Sequence, residues 1–253
     1  MSVAIQTNCW RRDWRLVLGA DRLRQLVECN AYPFAERTVL INELASYAGA
    51  FRLADAAIAS GLLTSRVVVE QHAAAAIAEA GLSNDDLADA RGYSIAELVG
   101  LHTTRCEYLL YFMSDCLPMT THNWIPSALR LMESNPRIKV ANLLWNGNTD
   151  EARAESLEET EDFFIGPGFS DQCFLVRVAD FRGHVYSHEH PASARYPDYG
   201  QAGFERRVDS WMRHNRYLRA TYKHASYRHL NLPPTLGQRI KRRLRHTMSL
   251  GRR

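Results

Sequence analysis

Short apolar runs alternate with helix-patterned segments along the first 180 residues of this 253-residue chain. Residues 38–41 and 108–112 are continuous runs of apolar or β-branched side chains, as in strands that a parallel sheet buries on both faces. Apolar residues recur at near-helical spacing between such runs, for example over residues 14–30. Further strands are expected over residues 3–5, 66–70, 140–145 and 172–178. This alternation predicts an α/β fold, a single Rossmann-like domain with a mainly parallel central sheet.

Composition excludes several classes of protein. Hydrophobic residues make up 46% and charged residues 23% of the chain, which is ordinary for a soluble globular protein. The longest apolar stretches, such as residues 73–78, are far shorter than the roughly 18–20 residues of a membrane span, and the first residues turn polar too soon for a secretory signal. Five cysteines are scattered without a CxxC pair, which indicates a reducing compartment. We therefore expect a cytoplasmic protein.

Positive charge is concentrated at the carboxyl end of the sequence. Residues 236–253 contain seven Lys or Arg and no acid, and two prolines precede them at 233–234. Apolar residues recur every four positions among these cations, at Leu236, Ile240, Leu244 and Met248. Such a helix suits a membrane interface, where each basic residue contributes about 1 kcal/mol near anionic lipids.

We therefore predict one domain over residues 1–232 and a basic amphipathic tail over residues 233–253. Through residues 236–253 the tail would bind an anionic membrane surface and keep the protein peripheral at the inner face of a membrane. A solvated basic end is the alternative. No nucleic acid is expected, because the tail lacks interleaved aromatic residues for stacking on bases.

Polar residues follow three of the predicted strands, as Thr7-Asn8, Asn42-Glu43 and Ser114-Asp115. Ligands of open parallel sheets bind beyond the carboxyl ends of the strands, so these residues are expected to converge at one edge. A carboxylate at Asp115 suits a hard divalent cation such as Mg²⁺ or Mn²⁺, and such a cation stabilises a diphosphate as a leaving group. The alternative for Asp115 is a helix N-cap or a turn.

Other segments carry local predictions. Ser94 followed three residues later by Glu97 is a capping-box pattern for a helix over residues 94–103. Residues 150–162 contain seven acids and are expected to form a solvated loop or helix. A helix is predicted over residues 204–219. The three histidines of residues 184–190 are interpreted as part of an irregular loop, because no regular element holds them as a metal site would need.

The order of these segments resembles the family-2-type glycosyltransferases of the GT-A fold, from about residue 3 to residue 229. Residues 107–115, EYLLYFMSD, are similar to the strand that leads into the DxD metal motif of that family. A helix over residues 124–131, a proline and another strand follow in the order that the family shows. Phe204-Glu205 is similar to the acidic motif at the start of an acceptor-side helix, and His224 and His229 lie where many members place a late histidine.

This resemblance implies a nucleotide-sugar half over residues 1–145 and an acceptor half over residues 146–232. A Mg²⁺ or Mn²⁺ ion would be held by Asp115 and His229. The motifs depart from the family pattern, because Met113-Ser114-Asp115 stands for DxD, Asn42-Glu43 for a pair of aspartates and Glu205-Arg206 for Glu-Asp. The requirement for a metal is therefore left open. The residues that the resemblance assigns to the nucleotide-sugar donor are Thr7, Asn8, Arg11, Asn42, Glu43 and Ser114.

The reaction that the resemblance implies is transfer of a hexosyl group, with inversion, from a nucleoside diphosphate sugar to a hydroxyl of a glycan or lipid-linked acceptor, as in polysaccharide biosynthesis. A carboxylate base would deprotonate the acceptor hydroxyl. Glu205 is the first candidate for this base and would otherwise stabilise its helix start. Asp171 is the second candidate and would otherwise bind donor or acceptor hydroxyls, or form a turn.

Two other readings of the sequence remain. The first is a catalytically inactive protein that keeps the fold and serves as a binding scaffold, which the altered motifs permit. The second is a nucleotidyltransferase, which usually has a glycine-rich loop after the first strand to bind a triphosphate. Residues 6–12 contain no glycine, which counts against the second reading.

Overall fold

The computed structural model describes residues 1–196 and 202–230. The predicted tail over residues 233–253, with the segment 236–253 expected at a membrane, lies outside the described residues. Within the two described ranges, every helix is too short or too polar to reach across a bilayer. The strands of this part are β1 (Val3–Trp10), β2 (Glu36–Asn42), β3 (Ser65–Val68), β4 (Tyr108–Phe112), β5 (Cys116–Pro118), β6 (Ile138–Trp145), β7 (Glu158–Glu159), β8 (Phe163–Gly166), β9 (Cys173–Arg177) and β10 (Leu218–His229). The α-helices of this part are α1 (Trp14–Val17), α2 (Ala20–Glu28), α3 (Ala48–Ala59), α4 (Val69–Glu79), α5 (Asn84–Leu87), α6 (Ile95–Thr103), α7 (Ile125–Ser134), α8 (Thr149–Ala154) and α9 (Phe204–His214).

These strands join one sheet in the order β3-β2-β1-β4-β9-β6-β10-β8-β7, and β5 pairs with the end of β10. Parallel ladders join β1 to β2 and β4, β2 to β3, and β6 to β10. β9 lies antiparallel between β4 and β6. Most paired residues lie in the parallel ladders, so the predicted α/β fold with a mainly parallel central sheet is confirmed.

The strand directions bring several chain segments to one edge of the sheet. The carboxyl ends of β1, β4, β6 and β10 all point to this edge, and the amino end of the antiparallel β9 lies there too. We call this edge the site edge. The carboxyl ends of parallel strands therefore converge at one edge, as predicted for an open parallel sheet, and Asn8 of β1 contacts Ser114 after β4 there.

Alternate residues of the central strands are buried on opposite faces of the sheet. Tyr111 of β4 and Phe174 of β9 stack on one face with ring centroids 5.0 Å apart, and α4, α6 and α9 pack over that face. Tyr108 and Phe112 of β4 belong to the opposite face, which α2 and α7 cover. All of β4 is buried, as a continuous apolar run between two layers of helices predicts.

Several elements differ from their predicted bounds. β1 continues to Trp10, so Thr7 and Asn8 lie within the strand and do not follow it. The helix predicted over residues 14–30 is broken at Gly19 into α1 and α2. The helix predicted over residues 204–219 ends at His214, because β10 begins at Leu218.

β10 is the longest strand and was not predicted from the sequence. In its ladder with β6, Tyr222 pairs with Leu143, and Ser226 pairs with Leu144, the next residue of β6. Residues 223–225 are therefore extra on β10 and form a bulge, which bends a strand locally.

The acidic segment predicted to be solvated holds this bulge in place. It folds into α8 and β7, and β7 pairs with β8. Lys223 Nζ lies 2.8 Å from Glu159 Oε1, and His224 Nε2 lies 3.2 Å from Asp162 Oδ1. The bulge is therefore tied to the β7–β8 hairpin by charged side chains.

Candidate active site

A carboxylate and an imidazole meet at the site edge. Asp115 follows the end of β4, and His229 ends β10. His229 Nε2 lies 3.0 Å from Asp115 Oδ2, and the backbone N–H of Leu230 donates to the Asp115 carbonyl at 2.7 Å. The hydrogen bond with Asp115 raises the pKa of His229, although partial burial lowers it. The two residues predicted to hold a metal ion thus lie side by side, although 114 positions separate them in the sequence.

The turn that carries Asp115 is held by neighbouring elements. The backbone N–H of Ser114 donates to Asn8 Oδ1 at 2.8 Å, and the Arg22 guanidinium donates to the Ser114 carbonyl. Asp13 is buried nearby, and this burial raises the pKa of its carboxyl. Asn8 and Ser114, predicted to bind the donor, are thus seen to fix this turn. Arg22 takes part without any local sequence pattern that marks it.

The other residues predicted to bind the donor lie at the ends of β1 and β2. Thr7 is buried within β1, and Arg11 is exposed with its guanidinium 5.6 Å from the centroid of the Trp10 ring. Asn42 is buried opposite Trp10 in the ladder between the two strands. Glu43 follows it, exposed, with φ +52°. This left-handed conformation is uncommon outside glycine, and such strain concentrates at functional sites.

A second pair of carboxyls lies at the same edge. Asp171 precedes β9, and Glu205 lies in the first turn of α9. The Glu205 carboxylate accepts the backbone N–H of Asp171, and burial raises the pKa of Glu205 to about 7. Burial and the charges of Glu205, Glu97 and Asp115 raise the pKa of Asp171 well above its usual range. An enclosed carboxyl with a pKa near neutral pH, such as that of Glu205, is suited to acid–base chemistry.

A fully buried acid lies beneath this pair. Glu97 of α6 is 2% exposed, and the Tyr111 hydroxyl donates to Glu97 Oε1 at 3.2 Å. Burial raises the pKa of Glu97 to about 7. The helix predicted over residues 94–103 is present, but its predicted capping box is wrong, because Glu97 faces the interior and Ser94 does not cap this helix.

Ser94 instead fixes the start of the helix that carries Glu205. Its buried hydroxyl accepts the Phe204 N–H at 2.9 Å and donates to the Ala90 carbonyl at 2.9 Å. One turn after Glu205, Asp209 is fully buried on α9. Its Oδ2 atom accepts the Ser193 hydroxyl at 2.5 Å and the Arg213 Nε–H at 2.7 Å. α9 is thus anchored on both sides of the Glu205 position, by contacts between segments far apart in sequence.

A cavity of about 240 Å³ opens beside Glu205. β6, α8, β10 and the segment before β9 line it, and Trp145 is exposed at its rim. A larger cavity of about 1030 Å³ lies among His72, His102 and Arg177, at the opposite edge of the sheet. It contains none of the predicted site residues, so the smaller cavity is the one that adjoins the candidate chemistry.

The donor atoms at the site edge suit a cation that arrives with a substrate. Asp115 supplies a carboxylate oxygen and His229 an imidazole nitrogen, and Mg²⁺ typically takes one or two carboxylates together with substrate phosphates. Within residues 1–196 and 202–230, no cluster of three or more His, Cys, Asp or Glu could hold a metal ion. His224, the other late histidine, pairs with Asp162 and does not join Asp115. Among the histidines of residues 184–190, His188 packs against another histidine ring, 5.0 Å away between centroids.

Comparison with known proteins gives matches among solved structures only. No family model and no curated protein matches this chain. A crystal structure of GalNAc-T7 with UDP, GalNAc and Mn²⁺ is similar with a TM-score of 0.53 and 9% identity, over 91% of this chain and 44% of that one. S. aureus TarS is less similar, with a TM-score of 0.47 and 10% identity over 91% of this chain and 60% of that one. Glucosyl-3-phosphoglycerate synthase from Mycobacterium tuberculosis, in complex with Mg²⁺ and UDP, has a TM-score of 0.46 and 16% identity over 92% of this chain and 72% of that one.

This chain therefore spans less than half of the GalNAc-T7 chain. At such low identity the likeness concerns the fold alone. The described part of the chain has a GT-A-type, Rossmann-like fold.

Proposed function

We propose that this protein is a glycosyltransferase that moves a hexosyl group from a nucleoside diphosphate sugar to a hydroxyl of a glycan or lipid-linked acceptor. One observation carries the proposal: the Asp115–His229 pair and the Asp171–Glu205 pair lie at the same edge of a GT-A-type sheet. The first pair suits a cation and diphosphate, and the second suits proton transfer. GalNAc-T7, which shares the fold, was crystallised with UDP and Mn²⁺, which supports this class of donor.

The donor would lie over residues 1–145. Asn42 and Glu43, which has a left-handed backbone, would contact the nucleotide, and the exposed Arg11 would contact the diphosphate. Asp115 and His229 would hold a Mg²⁺ or Mn²⁺ ion. When bound, such an ion would neutralise charge on the departing diphosphate. Thr7, Asn8 and Ser114 would act on the donor through the shape of the turn before Asp115.

Glu205 would act as the base that takes the proton of the acceptor hydroxyl. A pKa of about 7 leaves this carboxyl partly ionised at neutral pH, which suits a general base. Asp171, whose pKa burial raises well above its usual range, would hydrogen-bond a donor or acceptor hydroxyl. One base that acts from the face opposite the leaving group gives inversion. The acceptor half would span residues 146–232, and the tail over 233–253 would hold the enzyme at an anionic membrane.

The first experiment is a thermal-shift titration of the purified protein with UDP, GDP, CMP and dTDP, each with and without Mn²⁺. A nucleotide at 100 times its Kd stabilises the folded state by about 2.7 kcal/mol, which is easily seen as a higher Tm. We expect one nucleotide to give a shift that Mn²⁺ increases. Asp115→Asn and His229→Gln should lose the Mn²⁺-dependent part, and Asp85→Asn, at an exposed position of α5, is the matched control.

Failure of every nucleotide to shift the Tm would contradict the proposal. The alternative of an inactive scaffold is separated by a second assay, the release of nucleoside diphosphate from the matching nucleotide sugar. A scaffold would bind the nucleotide sugar without cleaving it, so no nucleoside diphosphate would be released. An enzyme should release it, and Glu205→Gln should slow the release by about 100-fold or more, as removal of a general base does.

A further inference from the structure

Two guanidinium groups share a single carboxylate on one wall of the cavity beside Glu205. Arg195 Nη1 lies 2.8 Å from Glu155 Oε1, and Arg219 Nη2 lies 2.9 Å from Glu155 Oε2. All three residues line the cavity together with Glu205. The Arg195 and Arg219 charges lower the pKa of Glu155, so Glu155 is fully ionised at neutral pH, and the group of three carries one excess positive charge.

Other acidic residues also line this cavity and offset that excess. Glu205 carries a reduced negative charge at neutral pH, because burial raises its pKa to about 7. Asp209 is balanced by Arg213, whose Nε lies 2.7 Å from Asp209 Oδ2. Glu151 also lines the cavity and accepts a hydrogen bond from the Asn148 amide at 2.7 Å, and this neutral partner does not balance the carboxylate charge.

The two guanidinium groups are held in fixed positions. Arg195 Nη2 donates to the Tyr196 hydroxyl at 2.9 Å, and that hydroxyl donates to the Phe169 carbonyl at 2.6 Å. Gly168, with φ +110°, lets both groups lie against the backbone, because a Cβ there would be 3.0 Å from Arg195 Nη2 and 3.6 Å from Arg219 Nη1. A planar, preorganised guanidinium is the side chain best suited to bind a carboxylate or phosphate.

The cavity has room for one small polar ligand. Its volume of about 240 Å³ is below the roughly 300 Å³ at which sites for drug-sized ligands begin. Trp145 is 43% exposed at the rim and offers a flat apolar surface, while Asn142 and Thr221 bring an amide and a hydroxyl to the lining. This mixture fits a single sugar ring.

We propose that this cavity binds an acceptor sugar that carries an oxyanion substituent, a carboxylate or a phosphate, and that Arg219 and Arg195 bind that substituent. The use of the cavity as the acceptor site rests on the proposed function. The charged N–H donors of the guanidinium groups then select anionic over neutral acceptors and hold the sugar next to the Glu205 carboxyl. Arg219 supplies the free donors, because Glu155 takes one of the five N–H groups of its guanidinium within the described part.

The test compares matched sugars by ligand-observed NMR titration of the full chain. Glucose 6-phosphate and glucuronate probe the phosphate and carboxylate forms, glucose is the neutral reference, and inorganic phosphate probes the anion alone. We expect at least one anionic sugar to bind more than tenfold tighter than both glucose and inorganic phosphate, because hydrogen bonds between charged groups are stronger than those between neutral ones. Whichever anionic sugar binds tighter names the substituent.

Arg219→Gln should abolish this preference, and Arg195→Gln provides a second variant if the first unfolds. Arg228→Gln is the matched control, because Arg228 lies on the same strand but is exposed away from the cavity. Equal binding of glucose and the anionic sugars would overturn the inference, as would a preference that persists in Arg219→Gln. Inorganic phosphate that binds as tightly as glucose 6-phosphate would also overturn it.

Titration with nucleotides in parallel separates the two proposals. If a nucleotide binds and the anionic preference is absent, the inference fails and the proposed function stands. If no nucleotide binds but the preference is present and depends on Arg219, the anion site stands and the proposed function fails.

Discussion

Glu97 gives the sharpest test of how burial sets the chemistry at the site edge. Its carboxyl is 2% exposed, and its pKa is raised from 4.5 to about 7. Because the folded-state pKa is the higher one, the folded protein keeps this proton while the unfolded chain releases it. The raised pKa therefore lowers the free energy of unfolding as the pH rises from about 4.5 to about 7. Above that range the free energy of unfolding has fallen by about 3 kcal/mol.

Glu97→Gln removes the titration and keeps an oxygen that can accept the Tyr111 hydroxyl. The new amide N–H groups carry a penalty that does not depend on pH, so the quantity to measure is a difference between two pH values. We expect Glu97→Gln to be more stable at pH 8.5 than at pH 5.5 by about 2 kcal/mol, when its free energy of unfolding is measured relative to that of wild type at the same pH. Glu205 titrates in both proteins and largely cancels, whereas Glu97→Gln also removes a charge that raises the pKa of Asp171, which changes the difference in the same direction.

The assay is urea unfolding followed by circular dichroism at the two pH values. Glu133→Gln, at an exposed position of α7, is the control for the loss of one carboxylate elsewhere. A stability difference between Glu97→Gln and wild type that is the same at both pH values would refute the reasoning. It would mean that Glu97 does not change its ionisation across this range in the folded protein.

Three further predictions concern the elements around the candidate base. Asp209→Ala should lower the free energy of unfolding by about 3 kcal/mol or more, because it leaves the Arg213 charge partly buried without its partner. Urea unfolding measures this loss. Asp209→Asn should lose less stability. Ser94→Ala should destabilise the protein by about 1–3 kcal/mol, because the buried Phe204 N–H loses its acceptor; thermal unfolding measures this, and nucleotide affinity should be unchanged. The rate of sugar transfer should rise with pH up to about 7 and then level off, because Glu205 must be ionised to act as a base; a pH profile of turnover measures this.

Each of these has an outcome that contradicts it. A loss well below about 3 kcal/mol in Asp209→Ala would show that the charge pair with Arg213 contributes little to stability. An unchanged Tm in Ser94→Ala would show that the Phe204 N–H finds another acceptor. A pH profile whose rise persists in Glu205→Gln would assign the titration to another group.

The parallel half of the sheet was predictable because its strands carry their signal locally. β4 is a run of five apolar residues, and burial on both faces allows nothing else. β10 was missed for the opposite reason. Its sequence, LRATYKHASYRH, mixes cations with small residues, and its burial comes from its place between β6 and β8 and not from its own pattern.

The residues of the candidate site also differ in whether a local sequence pattern marks them. Asp115 could be predicted because it directly follows an apolar strand, and His229 only because the resemblance to a family placed a late histidine there. Glu97 could not be predicted, because Ser94 and Glu97 look like a helix start when the sequence is read alone. The acidic partner of Arg195 and Arg219 comes from a segment that reads as solvated, and only the folded sheet brings Glu155 to them.

The bulge in β10 separates the two ends of one strand. Arg219 is fixed by the regular ladder before residues 223–225, and His229 follows them. The distance along the chain between Arg219 and His229 is therefore set by the length of an irregular segment. A change of one residue in that segment would move His229 relative to Asp115 and leave Arg219 in register. An insertion or deletion in this segment, more than a substitution, could therefore change the position of His229 without changing that of Arg219.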